Sequence, residues 1–145
     1  MKRVAVLAVC LVSACAACTS PKGRLRKILA ATQPADTVCL YEYDGTSSSA
    51  TGGGGHTFVT SLYATQQTYE ETFAAYREQL TSDGWEPFAE GVWRKTQPDG
   101  VCQIEVEDLN NWFRWPELYE IPAEVIAEGL QEHETLFIVS ARQFQ

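Results

Sequence analysis

The sequence predicts one α+β domain with a mainly antiparallel sheet of about five to six strands, spanning residues 37–145. Short stretches of alternating apolar and polar residues, separated by turn-forming residues, predict the strands. One strong helical repeat predicts the main amphipathic helix, and a weaker one predicts a short second helix on the same face of the sheet. Four Trp, six Tyr and six Phe supply apolar surface that offsets the loss of chain entropy on folding.

The N-terminal segment has the features of a removable export signal. Lys2 and Arg3 form a positive start, and the residues from Val4 to Val12 are all uncharged. This run is too short for a transmembrane helix, which needs about twenty apolar residues. It ends in small residues and cysteines, as a processing site does. The segment therefore predicts export from the cytoplasm.

Residues 11–15, Leu-Val-Ser-Ala-Cys, resemble the lipobox of bacterial lipoprotein precursors. In that family the cysteine carries fatty acyl chains of the palmitate class, and the signal is removed before it. The resemblance implies a signal peptide over residues 1–14 and a lipid on Cys15. Cys18 is the alternative site, although the residue three positions before it departs from the family pattern. An ordinary secretory signal is the remaining alternative.

Residues 15–36 are expected to form a lipidated N-terminus and a basic tether. Between Pro21 and Thr32, four basic residues surround Leu25, Ile28 and Leu29, which can share one helical face. Three interpretations remain open for this stretch. It lies on anionic lipid head groups, docks on the acidic domain of its own chain, or forms a solvated linker.

The first strands are predicted on either side of a glycine-rich loop. Alternation over residues 37–43 predicts a strand with Cys39, Tyr41 and Tyr43 on one face. The loop at residues 44–55 lacks the GK[ST] ending of a phosphate-binding loop. Strand character resumes over residues 56–64.

A helix that begins after Thr68 is the clearest element. Thr68 and Glu71 form a capping box, and Gly84 supplies a left-handed stop, so that Trp85 folds back on the last turn. The stripe on this helix predicts a face directed to the core: Tyr69, Phe73, Tyr76 and Leu80. The stripe and the Gly-Trp pair also resemble, loosely, small bacterial lipoproteins, and this resemblance implies no activity.

A hairpin is predicted by residues 92–96 and 101–108, which are joined by the turn-forming residues 97–100. In its second strand, alternation directs Cys102, Ile104 and Val106 inward. The same alternation directs Gln103, Glu105 and Glu107 to water. Pro122 then opens a short helix through Leu130, weakened by Gly129, and residues 136–143 form the last strand.

Residues 109–120 have the most unusual composition in the chain. Their aromatic side chains are a candidate surface for binding a protein or a glycan, with one arginine able to pair with an acidic group: Trp112, Phe113, Arg114, Trp115 and Tyr119. The alternative is that these side chains close the open end of the core.

Charge and cysteine content narrow the function classes. Residues 36–145 carry five basic and nineteen acidic residues, a net charge of minus fourteen, which disfavours binding to nucleic acid. In an oxidising compartment, Cys39 and Cys102 are expected to form a disulfide that stabilises the fold by roughly 4 kcal/mol. The alternative is two buried free thiols.

Residue patterns typical of catalysis do not occur in the sequence. His56 and His133 are the available histidines, and neither lies in a nucleophile or zinc motif. We expect neither a cofactor nor a metal. The sequence predicts an exported lipoprotein, attached to a membrane through covalent lipid, with a non-enzymatic binding role toward another envelope protein or a glycan. A lipid-anchored hydrolase of the cell envelope is the alternative.

Overall fold

The computed structural model describes residues 20–48, 54–109 and 120–144. The strands form one antiparallel sheet with the order β1-β2-β6-β5-β4-β3. The predicted α+β class and antiparallel sheet are confirmed. The elements, in chain order, are α1 (Pro21–Thr32), β1 (Thr37–Ser47), β2 (His56–Thr65), α2 (Tyr69–Ser82), β3 (Glu86–Ala89), β4 (Val92–Gln97), β5 (Gly100–Asp108), α3 (Ala123–Glu132) and β6 (Thr135–Phe144).

Two apolar cores lie on opposite faces of the sheet. Side chains alternate along β6, so Phe137 and Val139 enter one core while Leu136 and Ile138 enter the other. We call the side with Phe137 the first face and the side with Leu136 the second face. None of the three described helices has both the length and the apolar character needed to cross a bilayer.

Helices α1 and α2 cover the first face. Leu25 of α1 is 0 % exposed and Leu29 is 2 % exposed, and both join a core with Tyr76 and Leu80 of α2. Burial of these side chains, at about 25 cal/mol per Å² of apolar surface, fixes both helices to the sheet. The predicted inward stripe of α2 is confirmed at Tyr76 and Leu80, while Tyr69 and Phe73 pack at the edge of the core.

The predicted ends of α2 are also confirmed. The side chain of Thr68 accepts from the backbone of Glu71, and the Glu71 carboxylate accepts from the backbone of Thr68. Gly84 has a φ of 80°, a left-handed conformation that side chains disfavour. The backbone N–H of Trp85 donates to the carbonyl of Leu80 at 2.9 Å, and Trp85 is 6 % exposed. This closure returns the chain toward the sheet.

Helix α3 packs on the second face, opposite α2, which corrects the expectation that both helices share a face. Val125 and Ile126 contact the core around Leu136. Gly129 permits the close approach, because a Cβ there would lie 2.7 Å from a methyl carbon of Leu40. The glycine that weakens the helix in isolation therefore lets α3 pack closely without displacing the methyl groups of Leu40 and Leu136.

Helix α1 docks on the acidic domain of its own chain, which is one of the three interpretations left open by the sequence. Lys22 lies 2.5 Å from Asp44, and Arg26 bridges Asp44 and Glu42. Arg24 lies 2.6 Å from Asp99. Because α1 is part of the core, the folded unit includes this helix and does not begin at residue 37, so much of the expected tether belongs to the domain.

The attachment of α1 should be sensitive to acid. Hydrogen bonds from Lys22 and Arg26 hold the pKa of Asp44 below its ordinary value of 3.8. A carboxyl with a lowered pKa contributes stability above its ordinary pKa and loses it as pH falls through the lowered value. We therefore expect α1 to loosen from the sheet below about pH 3.8, before α2 does. Methyl NMR signals followed from pH 6 to pH 2 measure the loosening of each helix: Leu25 reports on α1 and Leu80 reports on α2.

Asp44→Asn is the control for this acid response. It removes the titrating group, so the earlier loss of the Leu25 signal should shrink while the Leu80 signal follows the same course. Simultaneous loss of both signals in the unaltered protein would show that the ion pairs of α1 do not control its attachment.

A bulge in β1 separates residues that were expected to share a face. Cys39 pairs with Tyr63 and Tyr41 pairs with Leu62, so Leu40 is the extra residue between them. The shift directs Cys39 to the first face and Tyr41 to the second. The expectation that Cys39 shares a face with Tyr41 is therefore wrong.

The expected disulfide between Cys39 and Cys102 is not formed. Both residues are free cysteines, with Cys39 exposed and Cys102 buried. Their strands, β1 and β5, are separated by β2 and β6. Three strand spacings amount to about 14 Å, and a disulfide requires Cα atoms within about 7 Å. The strand order therefore excludes the bond, and the alternative of two free thiols is closer to the structure.

The predicted hairpin of β4 and β5 is confirmed, but its polar row is not fully solvated. Gln103 is 6 % exposed; its amide oxygen accepts from Arg94 at 2.7 Å, and its amide nitrogen donates to Glu105 at 2.5 Å. Arg142 of β6 lies 3.5 Å from Glu105. Arg94 of β4 and Arg142 of β6 thus interact with the polar side chains of Gln103 and Glu105 of β5. On this part of the second face, these side chains form a network with one another instead of pointing only to solvent.

Candidate functional site

A groove of about 670 Å³ lies between the first half of α2 and the end of β5. The helix supplies one wall, because residues at spacings of three and four share a side of α2. The other wall consists of the β3–β4 turn and the last residues of β5. A backbone hydrogen bond joins the β3–β4 turn to β5, since the N–H of Val106 donates to the carbonyl of Gly91 at 2.8 Å. We call this feature the acidic groove because four of its lining residues are Glu or Asp.

Aromatic rings form one side of the acidic groove. The ring centroids of Tyr69 and Phe73 are 5.8 Å apart, and those of Phe73 and Trp93 are 5.7 Å apart. The Tyr69 hydroxyl donates to the carbonyl of Val106 at 3.4 Å. Phe73 and Tyr69 are partly buried against the core. The core thus holds these rings in fixed positions while part of each remains available to a ligand.

Carboxylates surround this aromatic wall. The groove is lined by Glu70 from α2, Glu90 from the β3–β4 turn, and Glu107 and Asp108 from β5. Burial and then the charges of Asp108, Glu107 and Glu90 raise the pKa of Tyr69 to about 12. A raised phenol pKa means that the surroundings disfavour a negative charge. The nearby carboxylates therefore add to the effect of burial at this phenol.

The acidic groove already holds one cationic group of the protein. The guanidinium of Arg77 lies 5.2 Å from the centroid of the Phe73 ring. This is the geometry of a cation–π contact, which contributes about 0.5–1 kcal/mol at an exposed site. Among the described residues of the lining, four carboxylates and one arginine leave a net negative charge. Its rings and carboxylates together suit a guanidinium or ammonium group.

A second, smaller groove of about 370 Å³ continues from the first. The two share Tyr69, Glu70 and Asp108. The extension reaches Leu109 and the C-terminal part of α3, where Leu130 is 55 % exposed. The combined surface has the apolar side chain of Leu130 at one end and acidic residues in both grooves.

The chain gives no match to a family model, to a curated protein or to a solved structure. The site is therefore interpreted from its geometry and chemistry alone.

The candidate site residues from the sequence fall in two groups. Cys15 and Cys18 lie outside the described residues, and so do the aromatic candidates: Trp112, Phe113, Arg114, Trp115 and Tyr119. Cys39 and Cys102 are described and lie in different parts of the sheet. Leu109, the last described residue before these aromatic candidates, lines the smaller groove.

Sequence reasoning missed the acidic groove. It assigned Tyr69 and Phe73 to the core, whereas the structure places both at the core edge. It also missed β3, a strand of four residues, and with it the turn that carries Glu90. A local signal did exist, because Glu90 and Gly91 precede the predicted strand at residue 92 and glycine favours turns. The groove itself arises from long-range packing of α2 on β5.

Neither thiol has the surroundings of a catalytic nucleophile. Burial and the charge of Glu42 raise the pKa of Cys39. Burial and the charge of Asp99 raise the pKa of Cys102. The thiolate is the reactive form, so both groups stay protonated at neutral pH.

The histidines are used in packing and in one surface contact. The His56 ring lies 6.1 Å from Phe58 and 5.5 Å from Phe144. His133 Nδ1 lies 3.4 Å from the amide nitrogen of Gln66. Across the described ranges, no group of three His, Cys, Asp or Glu residues is arranged to hold a metal ion.

Proposed function

We propose that the chain is an exported lipoprotein, attached to a membrane through acyl chains on Cys15, that binds a basic segment of another envelope protein in the acidic groove. Binding, without chemical conversion, is the function that this site supports best. The observation that carries the proposal is the combination of carboxylates from three elements with an aromatic wall that already holds the Arg77 guanidinium.

The chemistry of the groove favours a cationic peptide over a glycan. A peptide with Lys or Arg gains from carboxylates on both walls and from the faces of Tyr69 and Phe73. The two grooves share Tyr69, Glu70 and Asp108, so they form one continuous surface that suits an extended chain. Such contacts give selectivity and fast association more than high affinity, so a micromolar dissociation constant is the natural range.

Charge-matched double variants test the acidic groove. The probe is a fluorescent peptide of alternating arginine and glycine, added to the full lipidated protein in detergent. Glu70→Gln with Glu90→Gln should weaken binding about three- to tenfold, since it removes two carboxylates from the lining, worth roughly 0.7–1.4 kcal/mol together. Fluorescence anisotropy measures the dissociation constant, which should also rise with salt.

Glu124→Gln with Glu128→Gln is the matched control, because both carboxylates are exposed on α3 outside the groove. This pair removes the same net charge and should change the dissociation constant by less than about twofold. Equal weakening by the two double variants would show that the peptide senses net charge alone, and the groove would no longer be the site.

A further inference from the structure

The anchored end of the domain is defined by where α1 begins. Arg24 at the start of α1 pairs with Asp99 in the β4–β5 turn, and its guanidinium also donates to the side chain of Gln143 near the end of β6. Lys22 pairs with Asp44 near the end of β1. Ser20, the helix cap, therefore lies at the end of the sheet formed by these three elements.

The link between this end and a lipidated cysteine is short. Four residues separate Cys15 from Ser20, and one residue separates Cys18 from Ser20. Fully extended chain covers at most about 3.4 Å per residue. The link therefore spans at most about 17 Å from Cys15, or about 7 Å from Cys18. Ser20 caps α1, and Leu25 and Leu29 are buried in the core, so lengthening the link by unwinding the helix would expose these side chains and is unfavourable at neutral pH.

The acidic groove lies at the opposite end of the sheet. Strand β5 runs from Gly100, beside the turn that binds Arg24, to Asp108 in the groove lining. Nine residues of strand place these points about 26 Å apart. The start of β4, the start of β6 and the N-terminus of α2 lie at the same end as the groove.

Charge distinguishes the two ends. At the anchored end, Lys22, Arg24 and Arg26 are balanced by the acids that they contact. The described residues of the groove end include five acids and one arginine: Glu70, Glu90, Glu107, Asp108, Glu134 and Arg77. Anionic head groups therefore repel the groove end more strongly than the anchored end. This repulsion favours the same orientation as the short link to the lipid.

We infer that the domain is oriented on the bilayer, with the anchored end directed to the lipid surface and the acidic groove presented away from it. The inference rests on the proposed lipid anchor and adds an interaction surface. The surface that faces the lipid head groups consists of the end of β1, the start of β2, the β4–β5 turn and the end of β6. A partner would then meet the groove from the side opposite to the membrane, at a height set by the length of the sheet.

Paramagnetic relaxation by a lipid-bound ion tests the orientation. The full chain, processed in a bacterial host, is placed in nanodiscs of phosphatidylethanolamine and phosphatidylglycerol doped with a gadolinium-chelating lipid. Relaxation enhancement falls with the sixth power of distance. The probed residues are separated along the sheet by about 20–23 Å, so the enhancement should be at least about tenfold stronger at His56 and Gly100 than at Gly91 and Glu107.

A variant with twelve glycine and serine residues inserted between Thr19 and Ser20 is the control. Its link has a mean span of about 20 Å, so the domain can tumble and the difference between the two ends should largely disappear.

The two proposals fail in different ways. Mass spectrometry of the same sample reports the acyl chains. Acylated protein with equal enhancement at both ends, or with stronger enhancement at Gly91 and Glu107, overturns the orientation and leaves the anchor in place. Protein without acyl chains overturns the anchor, and the orientation with it.

Discussion

Cys15→Ser abolishes fatty-acid incorporation and leaves the leader attached; this is the expected result with the largest effect. A thiolate is a far better nucleophile than a hydroxyl for forming the thioether, so serine cannot replace the lipidated cysteine. Each buried CH₂ of an acyl chain contributes about 0.8 kcal/mol, and two or more chains are needed for a durable anchor. Loss of the thioether therefore removes the lipid anchor. Metabolic labelling with an alkyne fatty acid, followed by mass spectrometry of the N-terminus, measures both changes.

Cys18→Ser is the matched control for the lipid site. It removes a thiol three residues away and should retain both the label and the processed N-terminus. The reverse pattern, with label lost only in Cys18→Ser, moves the lipid to Cys18 and keeps the anchor. Labelling that persists when both cysteines are replaced contradicts the lipobox interpretation.

Leu25→Ala is expected to lower the free energy of unfolding by about 2–5 kcal/mol. Leu25 is 0 % exposed in the core between α1 and the first face, so truncation loses apolar burial and leaves a cavity. The loss is large for a domain of this size, because typical stabilities are about 5–15 kcal/mol. Urea unfolding followed by tryptophan fluorescence measures it, and the dependence of unfolding free energy on urea should stay the same.

Leu130→Ala removes the same atoms from an exposed position, since Leu130 is 55 % exposed. It should change the free energy of unfolding by less than about 0.5 kcal/mol. If Leu25→Ala has an equally small effect, α1 is not part of the cooperative core and the domain begins at β1, as the sequence alone had indicated. That outcome would also remove the short link on which the orientation depends.

Elements with local signals were predictable from the sequence. The capping box at Thr68, the stop at Gly84 and the turn before Gly100 act within a few residues, and each is present in the structure. The apolar face of α1 was also readable, but its partner was not. Lys22, Arg24 and Arg26 suit a lipid surface or an acidic protein surface equally well, because charge alone does not identify the partner.

The acidic groove could not be predicted in the same way. Its lining comes from α2, the β3–β4 turn and β5, and its members are far apart in sequence. Glu70 favours the start of a helix, and Glu107 fits the polar side of a strand, so each residue has a sufficient local explanation. Only their convergence around Phe73 gives them a common role.

The sequence by itself determined the α+β class, the bounds of the main helix, the hairpin and the inward side of β5, because each depends on contacts between near neighbours in the chain. The tertiary structure decided the strand order, the side of the sheet on which α3 packs and the docking of α1. It also decided the separation of Cys39 from Cys102. Pairing between distant strands is selected by the packing of whole faces, and a single bulge at Leu40 reverses which face a residue meets.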